Sequence, residues 1–180
     1  MEIPGDDLDV GPYPNASDAF RLYNADANPD SVHPGKHYYD FQYGDVSFFV
    51  MDTRRHRTES LDDMSTRTML GDVQLAAMQD WLAKVRYEGE LLCSILRYFL
   101  QVNNTASIKF VVTSVPFTSL WGHDAQVDSW AGFPSEKTSI LKTLQSVPNV
   151  FLLSGDRHEF AEIEFSGEAG SNSLREFSIR

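Results

Sequence analysis

Cysteine is nearly absent from this 180-residue chain, where Cys93 stands alone. That excludes an internal disulfide and any cysteine-built zinc cluster. Basic residues are scarce as well, with 15 Lys and Arg against 26 Asp and Glu and a net charge of -11. Such a balance repels phosphate backbones and argues against a nucleic-acid partner. No apolar run is long enough to span a membrane. Met1-Glu2-Ile3-Pro4-Gly5-Asp6-Asp7 has neither the basic stretch nor the apolar core of a secretory signal. A calcium loop is missing too. Asp6, Asp7 and Asp9 are followed by Gly11, Pro12 and Pro14 in the wrong register for one. There is no internal repeat or low-complexity tract, and nothing specifies a compartment or an oligomeric state.

What is present suffices for one folded domain over residues 1–180. Hydrophobic residues make up 42%, with 12 Phe, 7 Tyr and 3 Trp, enough to build a core. Residues 1–34, rich in Asp, Asn, Pro and Gly, read as a loop-rich lead-in with a short helix over 16–23. Two sequons, Asn15-Ala16-Ser17 and Asn103-Asn104-Thr105, match the short glycosylation pattern. Residues 37–41 and 46–51 flank Tyr43-Gly44-Asp45 and predict a hairpin. Leu75, Met78 and Leu82, with Trp81 beside them, predict a helix over 71–85. Ile140, Leu141, Leu144 and Val147 predict another over 135–147, with Ser135 as its N-cap. Residues 46–51, 109–114 and 150–153 are dense apolar runs and read as buried strands. Residues 160–165 alternate apolar with acidic, as a strand with one wet face does, and 174–179 begins a further strand.

Polar chemistry begins where each buried strand ends. Met51 gives way to Asp52-Thr53-Arg54-Arg55-His56-Arg57, a cluster able to hold an anionic oxygen, or a turn capped by Asp52 beside solvated arginines. Val115-Pro116-Phe117 leads into a loop carrying Trp121, His123, Asp124, Asp128 and Trp130. Leu153 is followed by Ser154-Gly155-Asp156-Arg157-His158-Glu159. In open α/β sheets ligands bind at such carboxyl ends. Asp156 and His158 are two apart, and in a near-extended segment both point to one side. A carboxylate and an imidazole together suit a divalent or trivalent cation. The alternative is a surface loop with ordinary charges.

As an ordered set these pieces resemble the PhoD-like alkaline phosphatases, a branch of the metallophosphoesterases. The matching segments are Tyr38-Tyr39-Asp40-Phe41 with Gly44-Asp45, Met51-Asp52-Thr53-Arg54-Arg55-His56-Arg57, Met69-Leu70-Gly71 with Gln74 and Trp81-Leu82, Val115-Pro116-Phe117, Ser154-Gly155-Asp156-Arg157-His158, and Glu176-Phe177-Ser178. The resemblance implies an αββα sandwich and metal-dependent hydrolysis of phosphate monoesters or diesters. It implies a dinuclear site of divalent or trivalent ions, with iron and calcium both compatible. Asp156 and His158 match the family's C-terminal metal-binding motif, and Arg54 and Arg157 are the candidates for catalytic contact. Asp52, Arg54 and Arg57 match its arginine-rich strand-end motif, with a substrate or a structural role. Family members are often exported.

The departures shape a second set of expectations. The family's other metal-binding motifs lie upstream of what this sequence matches, and Met1 stands where the last of them has a histidine. The chain therefore reads as the C-terminal half of the sandwich, truncated at both ends. By itself it is expected to be inactive. The competing reading is a catalytically inactive fragment or an unrelated α/β binding domain. Residues 85–101 carry an apolar run, Leu91 to Leu100, that interrupts the short helix-to-strand link compact α/β units favour. They read as an insertion or as an intron retained in frame, with a valine codon opening and a glutamine codon closing it.

Overall fold

The computed structural model describes residues 14–58, 63–86, 106–120 and 128–179. The elements run α1 (Pro14–Tyr23), β1 (Tyr39–Tyr43), β2 (Val46–Val50), α2 (Gly71–Arg86), β3 (Ile108–Thr113), α3 (Pro134–Gln145), β4 (Val150–Ser154), β5 (Ala161–Phe165) and β6 (Leu174–Ser178). The strands form one sheet in the order β1-β2-β3-β4-β6-β5. β2, β3, β4 and β6 are parallel, while β1 and β5 join antiparallel at the two edges. The carboxyl ends of the four parallel strands therefore lie along one rim of the sheet.

The hairpin forms as expected. Tyr43 pairs with Val46 across a two-residue turn, and Gly44 supplies the positive φ of +59° such a turn requires. α2 and α3 also form where the periodicity places them. Met78, Trp81, Leu82 and Val85 of α2 are buried in one core with Ile140 and Leu144 of α3 and with Phe49, Val111, Leu152 and Leu174 of the sheet. At about 1.5–3 kcal/mol for each large apolar side chain buried, this core is the main stabilising term. One detail differs. Phe133 occupies the N-cap of α3 without a side-chain cap and Pro134 opens the helix, so Ser135 lies inside its first turn. Proline suits that position because its missing N–H would have no helical partner.

The strands read from sequence as buried are buried on one face only. β2, β3 and β4 alternate fully and partly buried residues. The half-exposed face carries a row of stacked rings. Phe41, Phe48, Phe110, Phe151 and Phe177 stand 4.6 to 6.2 Å apart between successive centroids. The apolar runs are continuous because both faces of each strand are apolar, and among the described residues helices cover only one of them. Among the described residues the fold is one mixed sheet with one helical layer. Residues 87–101 of the apolar interruption lie outside the described residues, while Val85 is fully buried within α2.

Candidate functional site at the strand ends

The exit from β2 is built by its own polar groups. Asp52 Oδ1 accepts from the backbone N–H groups of Arg54 (3.0 Å) and Arg55 (3.1 Å), which bends the chain off the sheet. Gln74 on α2 donates to the Asp52 carbonyl and accepts from its N–H, both at 2.8 Å. Asp52 thus caps the turn with one carboxylate oxygen and is buried. The arginines it launches are not simply solvated. Arg54 and Arg57 each donate through Nη1 to the same oxygen of Asp128, and Arg57 Nε donates to the Thr53 carbonyl. The hydroxyls of Thr53 and Ser114 bond to each other and tie the exits of β2 and β3.

The neighbouring exits are held by Glu176. Its Oε1 accepts from the Phe117 N–H (2.7 Å) and the Ser154 hydroxyl (2.6 Å), and its Oε2 from the Thr118 N–H (2.8 Å). Burial pushes its pKa up, and these three donors with the nearby Lys137 charge only partly offset that. Trp130, fully buried, donates from its ring to Thr113 Oγ1 and from its backbone to the Pro116 carbonyl.

Asp156 and His158 follow the end of β4 and both are exposed. The segment that carries them is not the near-extended one the sequence suggested. Asp156 has φ +81° and His158 φ +57°, both in the left-handed region that non-glycine residues rarely occupy. Two such residues within three positions store backbone strain of the kind that gathers at functional sites. Arg157 sits between them, partly buried. Arg54 Nη2 lies 3.6 Å from Asp156 Oδ1, so the β2 and β4 exits converge. An exposed ion pair of this kind contributes about 0–1 kcal/mol, so Arg54 does not lock Asp156 away from a cation.

A carboxylate and an imidazole are the right donors for a hard or borderline cation. They are two where about four are needed, and no group of three or more potential ligands assembles among the described residues. The donor set therefore fits as part of a metal site and not as a whole one. His123 and Asp124 lie outside the described residues. An open cleft of about 460 Å³, lined by Phe20, Asp26, Lys36, His37 and Tyr39 among others, flanks the start of β1, and none of the candidate residues line it. Sequence reasoning placed Asp128 only as a loop residue. Its pairing with arginines more than seventy positions away has no local signal.

The sequence profile described as PhoD-like phosphatase matches residues 13–179. Its matched span includes every element and every candidate residue above. A solved structure of PhoD superposes with a TM-score of 0.58 at 23% identity, covering 90% of this chain and 34% of that one. This likeness concerns the fold, and the chain spans about a third of the solved chain's length. No curated protein matches the sequence.

Proposed function

From the premise that the chain belongs to the PhoD-like phosphatase family, a family of metal-dependent enzymes, we propose that it carries one part of a catalytic centre hydrolysing phosphate esters. The observation that carries this reading is the meeting of Arg54 with Asp156 at the strand ends, 3.6 Å apart, with His158 two residues on in the same turn. Asp156 and His158 would hold a divalent or trivalent cation, and Arg54 would contact a phosphoryl oxygen. A bound cation would acidify water and neutralise developing phosphoryl charge. The chain's own residues orient the ester. The guanidinium of Arg54 offers a planar fork matched to phosphate. Arg157 is a second candidate for that contact, placed on the same turn as the two donors.

Two donors do not complete a metal site, so hydrolysis requires further ligands beyond the two found among the described residues. The test is a chromogenic phosphate-ester assay in two forms. The 180-residue chain alone, with added iron and calcium salts, is expected to show no turnover. A polypeptide extended by an upstream reading frame encoding further donors is expected to turn over substrate and to lose that activity in Asp156→Asn. Turnover by the short chain that vanishes in His158→Ala would overturn the requirement for further ligands. An extended, folded polypeptide with no activity on monoesters or diesters would overturn the phosphatase reading.

A further inference from the structure

We propose that Asp128 is the positioning residue of an oxyanion site, gathering Arg54 and Arg57 so that their remaining N–H groups face a tetrahedral anion beside Asp156. The proposal rests on the phosphate-ester reading and adds to it the residue that organises the anion contact.

Exposed ion pairs are common and usually solvated, so the case lies in how this one is built. A single oxygen, Asp128 Oδ1, receives Nη1 of both arginines. The arginines come from one strand exit, and Asp128 comes from the segment after another. Arg57 is the fixed member, with its side chain 17% exposed and its Nε bonded to the Thr53 carbonyl. Its Nη2 is buried with no hydrogen-bond partner among the described residues. Buried donors are almost always paired, so a charged donor left over at the rim of a sheet is one waiting for an acceptor. Arg54 is the more exposed member, with its side chain 50% exposed and its second nitrogen turned to Asp156. Two guanidiniums face two carboxylates, Asp128 and Asp156, so the contact to an oxyanion rests on directed N–H donors and not on excess positive charge.

Asp128 is itself placed by a rigid support. Trp130, two residues on, is fully buried and bonded to Thr113 and Pro116. Ser129 Oγ accepts from the Ala131 N–H and closes the turn between them. Burial acts to raise the pKa of Asp128, but the hydrogen bonds and charges of Arg57 and Arg54 outweigh it and hold the carboxyl below its usual range. It is therefore ionised wherever the protein is folded near neutrality, and available to both arginines.

The sign of one substitution separates positioning from simple charge. Removing a carboxylate beside a cationic cluster strengthens anion binding by charge alone. Positioning predicts the reverse. Inorganic phosphate is titrated calorimetrically into the 180-residue chain and its Asp128→Ala, Asp128→Asn and Asp128→Glu variants, with folding checked by circular dichroism. Asp128→Ala is expected to bind phosphate about tenfold more weakly or worse, as loss of an organised charge-assisted contact implies. Asp128→Glu is expected to recover most of the affinity, and Asp128→Asn to fall between. If Asp128→Ala does not fold, the Asn and Glu variants carry the comparison. Equal or tighter binding in folded Asp128→Ala or Asp128→Asn overturns the proposal. Absence of phosphate binding in the unaltered chain also overturns it, without touching the cation-binding role of Asp156 and His158, which a separate cation titration reads.

Discussion

Gln74 faces Asp52 as one rung of a ladder, donating to its carbonyl and accepting from its N–H at 2.8 Å each. An amide side chain does both at once, with its NH2 as donor and its oxygen as acceptor. The rung holds the end of β2 against α2 and fixes the point from which Arg54 and Arg57 depart. Gln74→Ala leaves a buried N–H and a buried carbonyl unpaired. It is expected to destabilise the fold by about 2–4 kcal/mol, read as a lower urea midpoint with unchanged slope. Gln74→Glu keeps the acceptor, loses the donor and is expected to be destabilising as well.

Glu176 makes a second prediction, with a pH signature. Its folded pKa is raised, chiefly by burial. The folded chain then binds the proton more tightly than the unfolded one, so this group's contribution to stability is present below the unfolded pKa. It is lost as pH rises through the raised folded value. Glu176→Gln removes that slope. It also sets an amide NH2 against one of the N–H donors of Phe117 or Thr118, at a cost of about 1–3 kcal/mol. Thermal melts of both proteins from pH 4 upward, compared as a difference, check the slope and the cost together.

The aromatic row on the half-exposed face predicts surface behaviour. Phe110 and Phe151 stand with ring centroids 5.7 Å apart in the middle of the sheet. A contiguous apolar patch of this kind favours association. The unaltered chain is expected to be poorly soluble and to bind a hydrophobic fluorescent dye. Phe110→Ser with Phe151→Ser is expected to lower dye fluorescence and raise the concentration at which the chain precipitates.

The elements were legible where burial follows a simple period. The apolar runs of β2, β3 and β4 and the helical spacing of Met78, Leu82, Ile140 and Leu144 located the sheet and its helices. Legibility failed where long-range partners reverse the local preference. In β6 the pattern Leu174-Arg175-Glu176-Phe177 would put Phe177 inside and Glu176 in water. The structure buries Glu176 completely and leaves Phe177 half-exposed, because three donors from other strand exits offset part of the carboxylate's desolvation. At the site, Asp156 and His158 were singled out by residue type and by their place after a strand. The left-handed backbone that presents them leaves no mark on the sequence, and Asp128 acquires its role from arginines distant along the chain.

The central claim is that Asp156 and His158 form one half of a cation site at the end of β4. Titration of the 180-residue chain with a luminescent trivalent lanthanide, competed by calcium, tests it most directly. The account predicts weak saturable binding at one site, with Asp156→Ala and His158→Ala each lowering affinity about tenfold or more, as loss of a ligand does. Binding that is unchanged in both variants, or carried by other carboxylates of this acidic chain, would contradict it.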